Sequence, residues 1–132
     1  MKTFNSTFLI RFALVTIFLS HSLHGIFIRN DVNDFGNLFL NQIGFAPFGV
    51  FIAWTTVISQ IITSLFLLAD KYTKIASIIN ILILISGIVT VHLKEGWFVV
   101  GAGRNGMEFS FVLIFMLLTL IFSNNQNQHK HK

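Results

Sequence analysis

The chain has no cysteine, and it has only one proline and five acidic residues among its 132 residues. Without cysteine it forms no disulfide, holds no thiolate-bound metal and performs no thiol redox chemistry. Charged residues make up 11% of the sequence, whereas a soluble domain carries about 25%. The basic residues are scattered, and no basic run interleaved with aromatic residues suits nucleic acid. These deficits exclude a disulfide scaffold, a thiol enzyme and a nucleic-acid-binding domain.

The sequence is instead rich in apolar residues. Hydrophobic residues make up 54% of it, sixteen of them are Phe, and the mean hydropathy is +0.76. The length allows one compact unit and no second domain. We therefore predict an all-α fold, an integral membrane four-helix bundle, with residues 1–122 as a single transmembrane domain and residues 123–132 as a polar, disordered tail.

Four apolar segments are candidates for membrane spans, at residues 6–25, 47–69, 75–93 and 107–122. A signal peptide is the competing interpretation of the first segment, but Arg11 interrupts its apolar core and no small-x-small cleavage site follows. Residues 26–46 are too polar to span, yet their apolar residues recur at helical spacing. This pattern predicts a short interfacial helix between helices 1 and 2.

The positive charges predict an orientation for these spans. An even number of spans puts both termini on one side of the membrane, and cytoplasmic segments carry an excess of Lys and Arg. The cytoplasmic set would be Lys2, Lys71, Lys74, Lys130 and Lys132, and the outer set would be Arg29, Lys94 and Arg104. We expect a protein of the bacterial inner membrane with both termini in the cytoplasm.

A histidine and a glutamate flank the Gly-rich segment between the last two spans. His92 lies at the end of the third span and Glu108 at the start of the fourth, so both are expected at similar depth near the outer face of the membrane. An imidazole and a carboxylate at that depth are costly unless paired, hydrated or functional. Such a pair suits proton exchange, because His titrates near neutral pH. Trp97 and Arg104 lie in the same segment and are candidate ligand-binding residues.

Four further polar residues in the first two spans are candidates for ligand binding. Arg11 either snorkels to the inner headgroups or faces the bundle interior. His21 and His24 share one helical face near the outer end. They lack further ligands nearby, so we expect no metal site but a polar cluster. Gln60 lies near mid-bilayer and must find a partner, either a neighbouring helix or a ligand carbonyl.

The fourth span carries an aromatic ladder that starts at Glu108 and continues through Phe111, Phe115 and Phe122. Its plain interpretation is packing. In the second span, hydroxyl residues on one side of the helix are expected to face other helices; they are Thr56, Ser59, Thr63 and Ser64.

Several motifs together resemble the DoxX family of small four-helix membrane proteins. They are the R-x-A-L-x-x-x-F run from Arg11 to Phe18, the F-G-N-L-F-L-N-x-x-G-F-x-P connector, V-H at the end of the third span, G-W-F, and N-G-M-E-F before the last helix. Family members often carry Glu where this sequence has Gln60, so a role that needs an ionised group there is not implied. The family takes its name from a subunit of a terminal quinol oxidase, and it is also associated with thiosulfate:quinone oxidoreductase activity.

The resemblance implies two functions of different classes. The first is a quinone-interacting or accessory subunit of a membrane redox system, with quinone as its only expected cofactor, redox subunits as partners beside lipid, and no independent enzymatic activity. His92 and Glu108 would exchange protons, and Arg11 and Gln60 would line the interior. The alternative is a non-catalytic membrane scaffold, assembly factor or small-molecule binding module, in which the polar residues fix helix packing.

Overall fold

In the computed structural model, which describes residues 6–28, 30–99, 101 and 105–129, every regular element is helical. The elements are α1 (Ser6–Phe27), α2 (Asp31–Asp34), a π-helical segment (Phe35–Phe45), α3 (Gly49–Leu68), α4 (Thr73–Gly87), a π turn (Ile88–His92), α5 (Leu93–Glu95) and α6 (Glu108–His129). The all-α prediction is therefore confirmed.

Three of the helical stretches are long and apolar enough to cross a membrane: Thr7–Phe27, Gly49–Leu68 and Thr73–Glu95. A helix of 20 residues is about 30 Å long, which matches the hydrocarbon layer of a bilayer. The apolar part of α6, Glu108–Ser123, is shorter. Large apolar side chains point outward and are more than half exposed, among them Leu9, Phe12, Phe51, Ile75 and Leu82. Such a surface is unfavourable in water but suits lipid.

The four long helices pack in a ring in which α1 contacts α3, α3 contacts α4, α4 contacts α6, and α6 closes back onto α1. Apolar side chains from all four helices meet at the centre of this ring. The buried members are Leu14, Val15, Phe18, Leu67, Ala76, Leu113, Leu117 and Leu120. The ring has two ends, which we call the turn end, where residues 69–72 join α3 to α4, and the loop end, where residues 96–107 join α5 to α6.

The predicted helix between the first two spans is present as α2 and the π-helical segment, and it packs against the start of α3. The backbones approach so closely that a Cβ on Gly36 would lie 2.4 Å from the Cα of Val50. The Asn41 side chain accepts a hydrogen bond of 2.9 Å from the Gly49 N–H. A second apolar cluster of Val32, Leu40 and Ala53 fills this junction. The connector is thus fixed to the loop end of the bundle.

The last helix differs from the prediction, because α6 continues to His129 rather than ending at Phe122. No Gly or Pro follows Met107 in the sequence, so nothing in the polar segment breaks the helix. Residues 130–132 lie outside the described part of the chain, and for them the prediction of a disordered tail stays a prediction.

Candidate functional site

The loop between α5 and α6 folds back on itself at the loop end of the bundle. The Met107 N–H donates to the Gly96 carbonyl and the Glu108 N–H donates to the Trp97 carbonyl, each at 3.0 Å. Gly106 lies so close to this neighbouring stretch that a Cβ on it would be 2.4 Å from the Phe98 carbonyl oxygen. The two ends of the loop thus lie side by side, and only glycine fits where their backbones approach so closely.

This fold-back fixes the Glu108 carboxylate. Its Oε1 accepts a hydrogen bond of 2.7 Å from the Val99 N–H, and the contact is partly buried. Together with the bond from its own N–H to Trp97, this ties the first residue of α6 to residues 97–99 at two points. The carboxylate is therefore held in one orientation at the edge of the membrane-facing surface.

Beside this carboxylate lies a groove of about 400 Å³ with an almost wholly apolar lining. It is lined by Trp97, Val99, Glu108, Phe109, Phe111 and Val112. The ring of Trp97 meets that of Phe111 edge-on at 5.3 Å, and Phe111 meets Phe115 at 4.7 Å. Phe111 and Phe115 are about half exposed. These aromatic rings therefore pack against one another along the outer surface of α6.

His92 contacts the opposite side of the same loop. Its Nδ1 lies 2.5 Å from the Asn105 carbonyl oxygen. Because a carbonyl oxygen only accepts, Nδ1 carries a proton and donates the hydrogen bond. Within the part of the chain that the structure describes, His92 and Glu108 form no ion pair with each other. The two predicted proton-exchange residues thus share one loop, and each contacts its backbone.

The other two candidate histidines lie at the same end. His21 interacts electrostatically with both His24 and His92, so the fold gathers the three imidazoles around the loop end. The Nδ1 of His24 is 3.8 Å from Asp31 Oδ2, and the side chains are about two-thirds exposed for His24 and about half exposed for Asp31. No group of three His, Asp or Glu able to hold a metal ion occurs in the part of the chain that the structure describes.

Arg11 lies at the turn end and faces inward, so of its two open interpretations the structure favours the bundle-facing one. Its Nη1 is 2.5 Å from Asp70 Oδ1, and the Arg11 side chain is only 11% exposed. Asp70 was not among the predicted site residues. It could have been found from the sequence, because a cation inside a membrane requires a counter-ion and Asp70 directly follows the second predicted span.

Gln60 is buried in the middle of the bundle and bonds to a neighbouring helix. Its Oε1 accepts a hydrogen bond of 3.2 Å from the Ser22 hydroxyl of α1. One turn away, Asn80 Nδ2 donates to Thr63 Oγ1 at 2.8 Å and joins α4 to α3. Gln60 does not line the groove, and the structure divides the candidate residues among the loop end, the interior and, for Arg11, the turn end. Arg104 lies outside the described residues.

Comparison with known proteins identifies a protein family. The DoxX family model matches residues 6–93, which is about two thirds of the chain and includes α1, α3, α4 and His92 but ends before the groove. No curated protein and no solved structure matches the chain. The match covers most of the helical bundle in which Arg11, Gln60 and the three histidines lie, and the chain belongs to the DoxX family.

Proposed function

We propose that this DoxX-family membrane protein binds the head group of a membrane quinone in the groove beside Glu108, as an accessory subunit of a membrane redox system. The observation that carries the proposal is the combination of an apolar, aromatic-lined groove with a single oriented carboxylate. The chain has no cysteine, so a partner subunit would supply the electron carrier.

The residues that line the groove fit such a head group. A quinone ring is flat and has apolar faces, which suit the exposed rings of Trp97 and Phe111. The polar atoms at the ring edge are carbonyls in the quinone and hydroxyls in the quinol. An ionised carboxylate only accepts hydrogen bonds, so Glu108 favours the quinol, whose hydroxyl donates to it. The bound group would supply two-electron redox chemistry, which the side chains around it lack.

Glu108 and His92 would divide the proton chemistry between them. Glu108 is positioned to accept a proton inside the groove, where its Oε1 is held by the Val99 N–H. His92 is tied to the backbone of the same loop through Asn105. In this proposal the loop connects a proton acceptor in the groove to the His92 imidazole.

The test is binding of a short-chain benzoquinol and the corresponding benzoquinone to the purified protein in lipid nanodiscs. Glu108→Gln removes the charge and is expected to weaken quinol binding about tenfold, because a hydrogen bond to a charged group contributes about 1.5–3 kcal/mol. Benzoquinone binding should change little. His92→Ala should have a smaller effect, and the exposed Glu95→Gln is the matched control. Equal quinol affinity in the wild type and Glu108→Gln would remove Glu108 from the proposal.

The polar contacts in the interior favour the second function, a non-catalytic scaffold or assembly factor. The Ser22–Gln60 contact and the Asn80–Thr63 contact join neighbouring helices in the interior of the bundle. Affinity purification from native membranes separates the two functions. Co-purified oxidoreductase subunits support the redox role, whereas a complex of other composition supports the scaffold.

We also propose that the protein lies in the bacterial inner membrane with both termini in the cytoplasm. Lys71 and Lys74 support this orientation, because both are exposed at the turn end. Basic residues are enriched on the cytoplasmic side of inner-membrane proteins. The groove and His92 would then face the periplasmic half of the bilayer.

A further inference from the structure

The aromatic ladder of α6 begins at the groove and continues beyond it. Phe111 lines the groove, and its ring lies 4.7 Å from that of Phe115. Because successive residues of an α-helix are rotated by about 100°, Phe115 and Phe122 lie within about 40° of Phe111 around the helix axis. From Phe111 to Phe122 the ladder extends about 16 Å along the helix. The groove and the ladder thus lie on one side of α6.

This side of α6 faces lipid. Phe111, Phe115 and Phe122 are 45%, 55% and 63% exposed, whereas the leucines on the opposite side of the helix are buried in the central core. Two further groove residues, Phe109 and Val112, are also about half exposed. A ligand dissolved in the bilayer therefore reaches the groove sideways, without passing between the helices.

Lipid contact alone does not require aromatic residues at these positions. The neighbouring helix α4 contains no aromatic residue, and its exposed apolar side chains are Ile75, Ile78, Leu82 and Ile85. Exposed rings on α1 and α3, such as Phe12 and Phe51, do not line the groove. The ladder, by contrast, begins beside the carboxylate that the loop orients. This position distinguishes it from an ordinary lipid-facing surface.

The direction of α6 suits a ligand that lies along the bilayer normal. Glu108 is at the loop end, and the helix runs from there toward the turn end, with its apolar part ending at Ser123. A membrane amphiphile lies with its polar group near the surface and its tail toward the bilayer centre. With its polar ring at Glu108, such a molecule would place its tail beside Phe115 and Phe122.

We propose that the ligand of the groove is a quinol with a long isoprenoid tail, which enters sideways from the lipid and lays the first part of its tail along the aromatic ladder. The inference rests on the quinone-binding function proposed above and names its substrate class. The tail gains little by leaving the lipid, because acyl chains are as apolar as the ladder. It is held beside Phe115 because it is attached to a head group that Glu108 binds, which raises its local concentration there.

Photolabelling in nanodiscs tests where the tail lies. The probe is a benzoquinol whose alkyl tail carries a diazirine about 10 Å from the ring, level with Phe115 when the ring is at Glu108. Adducts should concentrate between Phe115 and Phe122, and untagged quinol at about ten times its Kd should reduce them by roughly a factor of ten. Adducts at Leu82, which is exposed on α4, should not change. Equal labelling of both helices that untagged quinol does not displace overturns the proposal.

A water-soluble quinone tests the entry route and separates this inference from the proposed function. In the Trp54→Phe protein, where Trp97 is the remaining tryptophan, a short-chain benzoquinone that dissolves in lipid should quench fluorescence along a saturable curve. A benzoquinone with a neutral polyethylene glycol tail stays in water and should not. Saturable quenching by both would overturn entry from the lipid and leave the quinone site intact. If neither quinone gives a saturable curve, the proposed function fails and this inference fails with it.

Discussion

At the scale of single residues, the candidate site depends on a loop that holds one carboxylate. Glu108 accepts from the Val99 N–H and donates its own N–H to the Trp97 carbonyl. Glu108 and His92 could be predicted as candidate site residues because each lies at the end of an apolar segment of the sequence. The sequence did not identify Val99 or Asn105 as partners, because these contacts are made by backbone atoms whose positions depend on the folded loop.

Gly106 is the residue on which the loop geometry depends most. An added Cβ would lie within 2.6 Å of three backbone atoms of Trp97 and Phe98, and backbone cannot move aside as a side chain can. We expect Gly106→Ala to lower the unfolding free energy by about 1–3 kcal/mol and to weaken quinol binding. Thermal unfolding and the nanodisc binding assay measure both effects.

The matched control for that variant is Gly87→Ala. Its added Cβ would meet only the His92 ring, at 3.9 Å, and Ala is favoured over Gly in a helix. This variant should be neutral or stabilising. A Gly106→Ala protein as stable as Gly87→Ala, with unchanged quinol binding, would show that the loop does not need the close approach.

At the scale of helices, buried polar side chains join elements that lie far apart in sequence. The apolar spans and the polar face of α3 could be predicted from hydropathy and helical spacing, and Gln60, Thr63 and Ser64 are indeed buried. The partners could not be predicted, because Ser22 and Asn80 belong to other helices whose rotation depends on packing. The π-helical form of Phe35–Phe45 could not be predicted either, because apolar residues at helical spacing do not distinguish it from an α-helix.

The hydrogen bond between Ser22 and Gln60 predicts a measurable coupling between α1 and α3. In a double-mutant cycle with Ser22→Ala and Gln60→Ala, the interaction energy should be about 0.6 kcal/mol, the average for hydrogen bonds between membrane helices. The control cycle pairs Gln60→Ala with Thr16→Ala, an exposed hydroxyl that bonds to its own helix. It should be additive. Additivity in both cycles would mean that the contact contributes nothing to helix packing.

At the scale of the whole molecule, the apolar surface and three membrane-length helices show a membrane protein, and the lysines predict its orientation. Because the chain lacks cysteine, single-cysteine variants report topology cleanly. Lys74→Cys and Asn105→Cys introduce thiols at exposed positions of the turn end and the loop end. A membrane-impermeant maleimide added to intact spheroplasts should label the Asn105→Cys protein and spare the Lys74→Cys protein. Labelling of the Lys74→Cys protein alone would show that the protein has the opposite orientation in the membrane.

Quenching of Trp97 fluorescence by quinone tests the central claim, binding at the groove, most directly. The chain has two tryptophans, so Trp54→Phe leaves Trp97 in the groove as the only one, and Trp97→Phe leaves Trp54, which bonds to Asn33 in the connector junction. Titration of each variant in nanodiscs with a short-chain benzoquinone should quench Trp97 along a saturable curve and Trp54 only in linear proportion to quinone concentration. Linear quenching of both tryptophans would contradict a quinone site at the groove.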